Sequence, residues 1–167
     1  MKFNLVDRIT QVEPGQSLES YKVLSLAEEY LQDHFPRRPV MPGVMMVEAM
    51  VQAGAWLVRL SQDYACSIVI LREARNVRYG RFVRPGDRLE VRVEMKDVEP
   101  GLARMKGRGV VDGQMVVSGM LELECFNVAD RDPGMADIDR QLVQSYKDQF
   151  RTLNFCSGSG PSVPDER

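Results

Sequence analysis

"DHFPRRPVMPGVMMVEAMVQAGAWLV" (residues 33–58) decides how the rest of the chain is read. It holds the only histidine, His34, and passes Pro36, Pro39 and Pro42 before an apolar run that Gly43 opens. Proline fixes φ, lacks an N–H and pushes the residue before it towards extended geometry, so a helix starts only after Pro42. Between 43 and 58 the polar exceptions are Glu48 and Gln52. A helix that is apolar on every side is buried by protein or by lipid. One with a carboxylate and an amide near its centre is a poor bilayer span. Residues 43–60 are therefore expected to form a central helix covered by a sheet.

The flanking sequence supplies that sheet. Pro-Gly pairs at 14–15, 42–43, 85–86, 100–101 and 133–134 mark turns or element ends. Between them, "LEVRVEM" (89–95) and "LELECF" (121–126) alternate apolar and polar residues as half-buried strands do. Segments 3–12, 18–25, 67–79, 102–111 and 114–121 also read as strands. The expected fold class is α+β, an antiparallel sheet of about six strands on one long helix. After Asn127 the character changes. Ile138, Leu142, Tyr146 and Phe150 recur at helical spacing, with Asp137 as the expected N-cap, and "SGSGPSVPDER" has the composition of a flexible tail. The organisation expected is a domain over 1–128, a helical extension over 129–153 and a tail over 154–167.

At 167 residues the chain suits one domain. A formal net charge of −2 argues against nucleic-acid binding through bulk charge. The first ten residues carry Asp7 and Arg8 where a signal peptide needs an apolar core. Cys66, Cys125 and Cys156 are odd in number and lack metal-ligand spacing, which fits a reducing cytoplasm. A single histidine argues against most zinc and di-iron sites. "DRDPGMADID" resembles a calcium loop only loosely, since Gly134 stands at a ligand position and no glutamate closes it.

His34 and Glu48 carry the chemistry that the sequence suggests. By spacing alone, a histidine before Phe-Pro is also a plain loop residue, and Glu48 is also a buried group satisfied by Gln52 one turn on. Burial disfavours the ionised form of a carboxyl group and so favours a proton donor near neutral pH. Imidazole is the usual base in that range. The Gly43 N–H, in the first helical turn, lacks an intrahelical acceptor and could hold a carbonyl oxygen as negative charge develops. Base, acid and oxyanion donor together suit removal of a proton alpha to a carbonyl.

"HFPRRPVMPGVMMVEAMVQA" resembles the signature of the 3-hydroxyacyl-acyl-carrier-protein dehydratases of fatty-acid synthesis, which have the hot-dog fold. "LVDRI" (5–9), "VRPGDRLEV" (83–91) and "VVDGQMVVSGMLEL" (110–123) extend the resemblance over about 4–127. It implies a central helix wrapped by an antiparallel sheet, His34 as the catalytic histidine and Glu48 as the catalytic acid. It implies Gly43, with Val44 beside it, at the thioester carbonyl, and Gln52 in support of Glu48. It implies no metal and no organic cofactor. The partner implied is an acyl carrier protein whose phosphopantetheine arm holds the substrate. The assembly implied is a homodimer with shared sites, or a trimer of dimers. The chain departs from the family pattern at Asp33 and Arg37, where glycine is usual, and at Tyr79 and Phe82, where phenylalanine and proline are usual. These positions bear on substrate choice and tunnel shape.

Arg72, Arg75, Arg78, Arg81 and Arg84 fall every third residue. They read either as a solvated strand edge or, with Arg37, as a dock for an acidic carrier protein. Met41, Met45, Met46 and Met50 read mainly as core, with some lining an acyl tunnel. Trp56 reads as core or dimer interface. Two other functions fit the same fold: an acyl-thioesterase, which would release free thiol, and a non-catalytic acyl-binding paralogue.

Overall fold

The computed structural model describes residues 3–32, 34–35 and 37–154. Strands β1 (Arg8–Glu13), β2 (Ser17–Val23), β3 (Ile68–Tyr79), β4 (Arg88–Glu99), β5 (Leu102–Val111) and β6 (Gln114–Phe126) form one sheet in the order β1-β2-β4-β5-β6-β3. Every neighbouring pair is antiparallel. Helix α1 (Gly43–Ser61) packs on β2 to β6, and α2 (Ala136–Leu153) closes the described chain. This is the expected α+β hot-dog layout, a helix wrapped by a sheet.

Alternation explains the wrap. Leu89, Val91 and Val93 of β4, Ala103 and Met105 of β5, and Leu121 and Leu123 of β6 face inward and are buried. Arg88, Glu90, Lys106 and Arg108 alternate with them and face out. Each large side chain so buried contributes about 1.5–3 kcal/mol. Helix and sheet approach closely: a Cβ on Gly107 would stand 2.7 Å from Met50 Sδ. By length and composition α1 could cross a membrane, but 67% of its most apolar window is buried within the protein, as in a core helix.

Three expectations change. The first strand begins at Arg8, not at residue 3, because Leu5 N–H is drawn to Gln52 instead (2.9 Å). Asp7 follows, its carboxylate accepting from Lys22 Nζ (3.0 Å) and Val23 N–H (2.7 Å), which fastens this end to β2. Segments 114–121 and 121–126 are one unbroken strand, β6, with Gly119, Leu121, Leu123 and Cys125 all on its buried face. Asp137 is not the N-cap of α2. That position is Met135, with no side-chain cap, and Asp137 lies in the first turn, paired with Arg140. Asp132 instead accepts from Gly134 N–H in the short turn ahead of the helix.

α2 lies against the far end of α1. Trp56 meets Tyr146 edge-on at 6.0 Å and Phe150 at 5.9 Å, and Leu153 is buried. Ile138, expected on the same face, is 42% exposed. The start of α2 is fixed by Asp139, whose carboxylate accepts from the Ser67 hydroxyl and from Val128 and Ala129 N–H at 2.9 Å. The Ser67 bond, then the two backbone bonds, hold its carboxyl below the usual carboxylate range. A carboxyl depressed in the folded state contributes stability that is present above its unfolded value and is lost as pH falls through the folded one. Acid below about pH 4 is therefore expected to loosen α2 first. Trp56, the only tryptophan, reports this by a red shift. In Asp139→Asn that acid phase should vanish, and an unchanged acid transition in the variant would remove Asp139 as its cause. The tail expected from 154 lies outside the described residues beyond Asn154, as do Asp33 and Cys156.

Candidate active site

Pro42 starts α1 without a side chain able to cap it. The N–H groups of Met45 and Met46 bond back to Pro42 O at 2.9 and 3.3 Å. Those of Gly43 and Val44, in the first turn, have no intrahelical acceptor and sit at the positive end of the helix dipole. A Cβ on Gly43 would stand 2.9 Å from the Tyr79 ring, so a larger residue here has to displace that exposed side chain. Val44 itself is exposed.

His34 lies in the loop ahead of α1, with Nδ1 3.0 Å from Val40 O. A carbonyl only accepts, so Nδ1 carries the hydrogen, and Nε2 of the neutral ring keeps its lone pair. The ring meets Phe35 edge-on at 4.6 Å. Phe35 has φ 55, a left-handed conformation that costs a bulky residue about 1–3 kcal/mol and persists only where the surroundings hold it.

Glu48 is half-buried on α1, and its Oε1 accepts from Gln52 Nε2 at 3.0 Å. The Gln52 amide has a fixed orientation: its Oε1 accepts from Leu5 N–H, and its Nε2 also donates to Phe3 O at 2.9 Å. The strand that starts late thus serves the site, since the freed segment clamps the residue that holds Glu48. Sequence reasoning missed Phe3 and Leu5 because both act through backbone atoms, which leave no side-chain signal.

Phe35, the neighbour of His34, and Glu48 line different openings. Phe35, next to His34, lines an apolar mouth of about 760 Å³ with Leu26, Pro39, Phe82 and Pro85. Glu48 lines a separate cleft of about 680 Å³ between α1 and α2.

The predicted arginines do not share one surface. Bulges in β3 after Leu71 and Arg75 offset the three-residue spacing. Arg72 pairs with Glu122 (3.5 Å) and Arg75 with Glu73 (2.6 Å), while Arg78 joins Lys106 and Arg108 on the outer sheet face. Arg81 pairs with Asp112 (2.9 Å) beyond the strand. Arg84 reaches the apolar mouth, together with Arg38, which sequence reasoning passed over in favour of its exposed neighbour Arg37. Cys66 and Cys125 both lie against Gln62 Oε1 (3.9 and 3.8 Å). Burial pushes the Cys66 thiol up to about 11, so it stays protonated and is a poor nucleophile. Among the described residues no group of three or more His, Cys, Asp or Glu could hold a metal ion.

Residues 1–120 match the family model described as a FabA-like domain. The chain belongs to the FabA-like family. Within it, the chain is 40% identical over 114 residues to the 3-hydroxyacyl-[acyl-carrier-protein] dehydratase FabZ of Bacillus subtilis (strain 168), covering 68% of this chain and 81% of that protein. It is 40% identical over 125 residues to the FabZ of Thioalkalivibrio sulfidiphilus, covering 71% and 84%. Among solved structures, the dehydratase heterocomplex ApeI:P from Xenorhabdus doucetiae superposes with TM-score 0.65 at 18% identity, covering 80% of this chain and 90% of that one. The phenylacetic acid degradation protein PaaI from Thermus thermophilus gives 0.52 at 15%, covering 72% and 93%. At these identities the structural likeness is one of fold. The matched region of this FabA-like chain ends before α2, whose helix stands outside the family domain.

Proposed function

We propose that the protein dehydrates 3-hydroxyacyl thioesters carried on acyl carrier protein to trans-2-enoyl thioesters, as a hydro-lyase of fatty-acid biosynthesis. What supports this is a histidine whose Nδ1–H is committed to Val40 O, leaving Nε2 to act as base, and a carboxyl group held by a clamped glutamine, in a chain of this family. His34 Nε2 takes the proton from C2. The electron pair left behind forms the C2–C3 double bond as the C3–O bond breaks, and Glu48 donates the proton with which the hydroxyl leaves as water. The amides of Gly43 and Val44 hold the thioester oxygen while it carries negative charge. The complete site is formed by two chains, His34 from one and Glu48 from the other, a reading supported by the cleft that Glu48 lines, whose walls do not include His34. The twelve-residue edge strand β3, with Ile70 and Leu71 exposed, suits pairing with a second copy. The family domain over 1–128 carries the chemistry, the extension shapes one end of the cleft, and the setting is the cytoplasm.

The direct test supplies 3-hydroxybutyryl thioester and follows enoyl absorbance. Free thiol without enoyl product would make the protein a thioesterase, and binding without turnover would make it an acyl-binding paralogue.

The mouth beside His34 is the entry for the carrier's arm, and its cations meet the acidic carrier. Charge reversal at Arg37, Arg38 or Arg84 is expected to raise KM for carrier-bound substrate about tenfold, with a much smaller effect on a short soluble thioester. Reversal at Arg72 or Arg75, already ion-paired on another face, should do less. Equal losses on both substrates would count against docking at the mouth.

A further inference from the structure

The cleft between α1 and α2 holds a buried cation, Arg59. Arg59 is 7% exposed, and among the described residues no carboxylate lies within ion-pair distance of it. The Tyr146 ring stacks on its guanidinium at 3.8 Å, and the Trp56 ring lies at 5.7 Å. Stacking satisfies only the flat face of the group. The N–H donors lie in its plane, the direction from which a carboxylate binds it in two-point fashion. Nε, one of those in-plane donors, is buried and has no hydrogen-bond partner. A buried guanidinium left in this state is costly unless something else pairs with it.

The same cleft has Glu48 at its other end. Eleven residues separate Glu48 from Arg59, and eleven steps of about 100° bring the helix back to within about 20° of the same face. Glu48, Gln52, Ala55 and Arg59 therefore form one stripe along α1, and all four line the cleft. Between Glu48 and Arg59 the wall is mixed, with Gln52 beside the apolar Val51, Ala55, Val69 and Leu142. At Arg59 the rim adds Ser145 and Gln149 of α2, both polar. The axial separation is about 16 Å, and the Arg59 side chain leans back towards the helix start, which shortens it. At about 1.5 Å per carbon–carbon bond, foreshortened by the zigzag, that spans on the order of ten carbons. The volume, about 680 Å³, lies within the range of small-molecule sites.

We propose that this cleft takes an acyl chain ending in a carboxylate, and that Arg59 is the receptor for that far end. This deepens the dehydratase reading and rests on it: the substrate class becomes the 3-hydroxy thioester of a dicarboxylic acid of about ten carbons. Glu48 acts at the thioester end and Arg59 selects the other. The helix α2, outside the family domain, completes the selective end by placing Tyr146, Ser145 and Gln149 around Arg59.

The test compares two soluble 3-hydroxyacyl thioesters of equal chain length, one ending in a carboxylate and one in a methyl group, on the full chain. Binding is read from Trp56 fluorescence, since the only tryptophan lies in the cleft wall, and turnover from enoyl absorbance. Wild type should favour the carboxylate by about ten- to a hundredfold, chiefly in KM, with an optimum near ten carbons. Arg59→Met keeps the aliphatic stem and should abolish that ratio, and Arg59→Lys should retain part of it. A purely structural Arg59 would change both substrates together and leave the ratio intact. Should Arg59→Met fail to fold, the wild-type ratio and its chain-length optimum still decide. Equal handling of the two substrates, as when a second chain supplies Arg59 with a carboxylate, overturns the proposal. Fluorescence-detected selectivity without any dehydration would sink the dehydratase reading and leave the receptor standing. Dehydration without selectivity does the reverse.

Discussion

Alanine at His34 is expected to lower the dehydration rate by about 10²–10⁴-fold, the range for loss of a positioned acid or base. The ring's Nδ1–H is committed to Val40 O, so Nε2 is the nitrogen left to take a proton, and no other imidazole exists in the chain to replace it. Alanine also removes the bond to Val40 and so could loosen the loop that holds Phe35 in its left-handed conformation. His34→Asn separates these effects. Its amide still donates to Val40 O but cannot act as a base near neutral pH. Both variants should lose activity to a similar depth in the enoyl assay. Near-normal turnover in His34→Asn would mean that the histidine works only by holding its loop.

Much of this site is legible in the sequence because side-chain chemistry marks it. A lone imidazole, three prolines and a carboxylate inside an apolar run locate the loop, the helix start and the acid without coordinates. β4 and β5 are legible for a related reason: one buried face and one solvated face impose a period of two. What escapes is written in backbone atoms or in parity. The clamp on Gln52 uses the Leu5 N–H and the Phe3 carbonyl, groups that every residue has. The arginines of β3 are evenly spaced in sequence, but two bulges reset which face they meet, and only Arg84, beyond the strand, arrives at the mouth. Arg38 and Arg37 are equivalent as letters, and the loop decides which one lines the opening.

Arg59 shows the same limit more sharply. A cation in the last turn of a helix is the ordinary complement to the helix dipole, so nothing in the sequence sets it apart. Its burial follows from α2, whose Tyr146 and Phe150 cover Trp56 and whose Tyr146 stacks on the guanidinium. On the proposed reading the family domain supplies the reacting groups, while α2, after Asn127, lines the end of the cleft at Arg59.

Mixing two inactive variants is expected to restore activity. His34→Ala and Glu48→Gln homodimers each retain only damaged sites. Phe35, next to His34, lines the mouth, whereas Glu48 lines the cleft beside α2, whose walls do not include His34. If a two-fold axis brings the His34 of each chain to the Glu48 of the other, an isologous dimer holds two such sites. After co-unfolding and refolding of equal amounts, half the dimers contain one chain of each kind. In each of these, one site has lost both groups and the other keeps both. Activity should therefore return to about a quarter of the wild-type value at the same total concentration. The double variant, His34→Ala with Glu48→Gln on one chain, refolded with wild type, damages both sites of every mixed dimer. It should leave about a quarter of wild-type activity, from the wild-type homodimers alone, rather than the half expected when each chain works independently. Demonstrated subunit exchange with no recovery in the first mixture, or half activity in the second, would place both groups in a single chain.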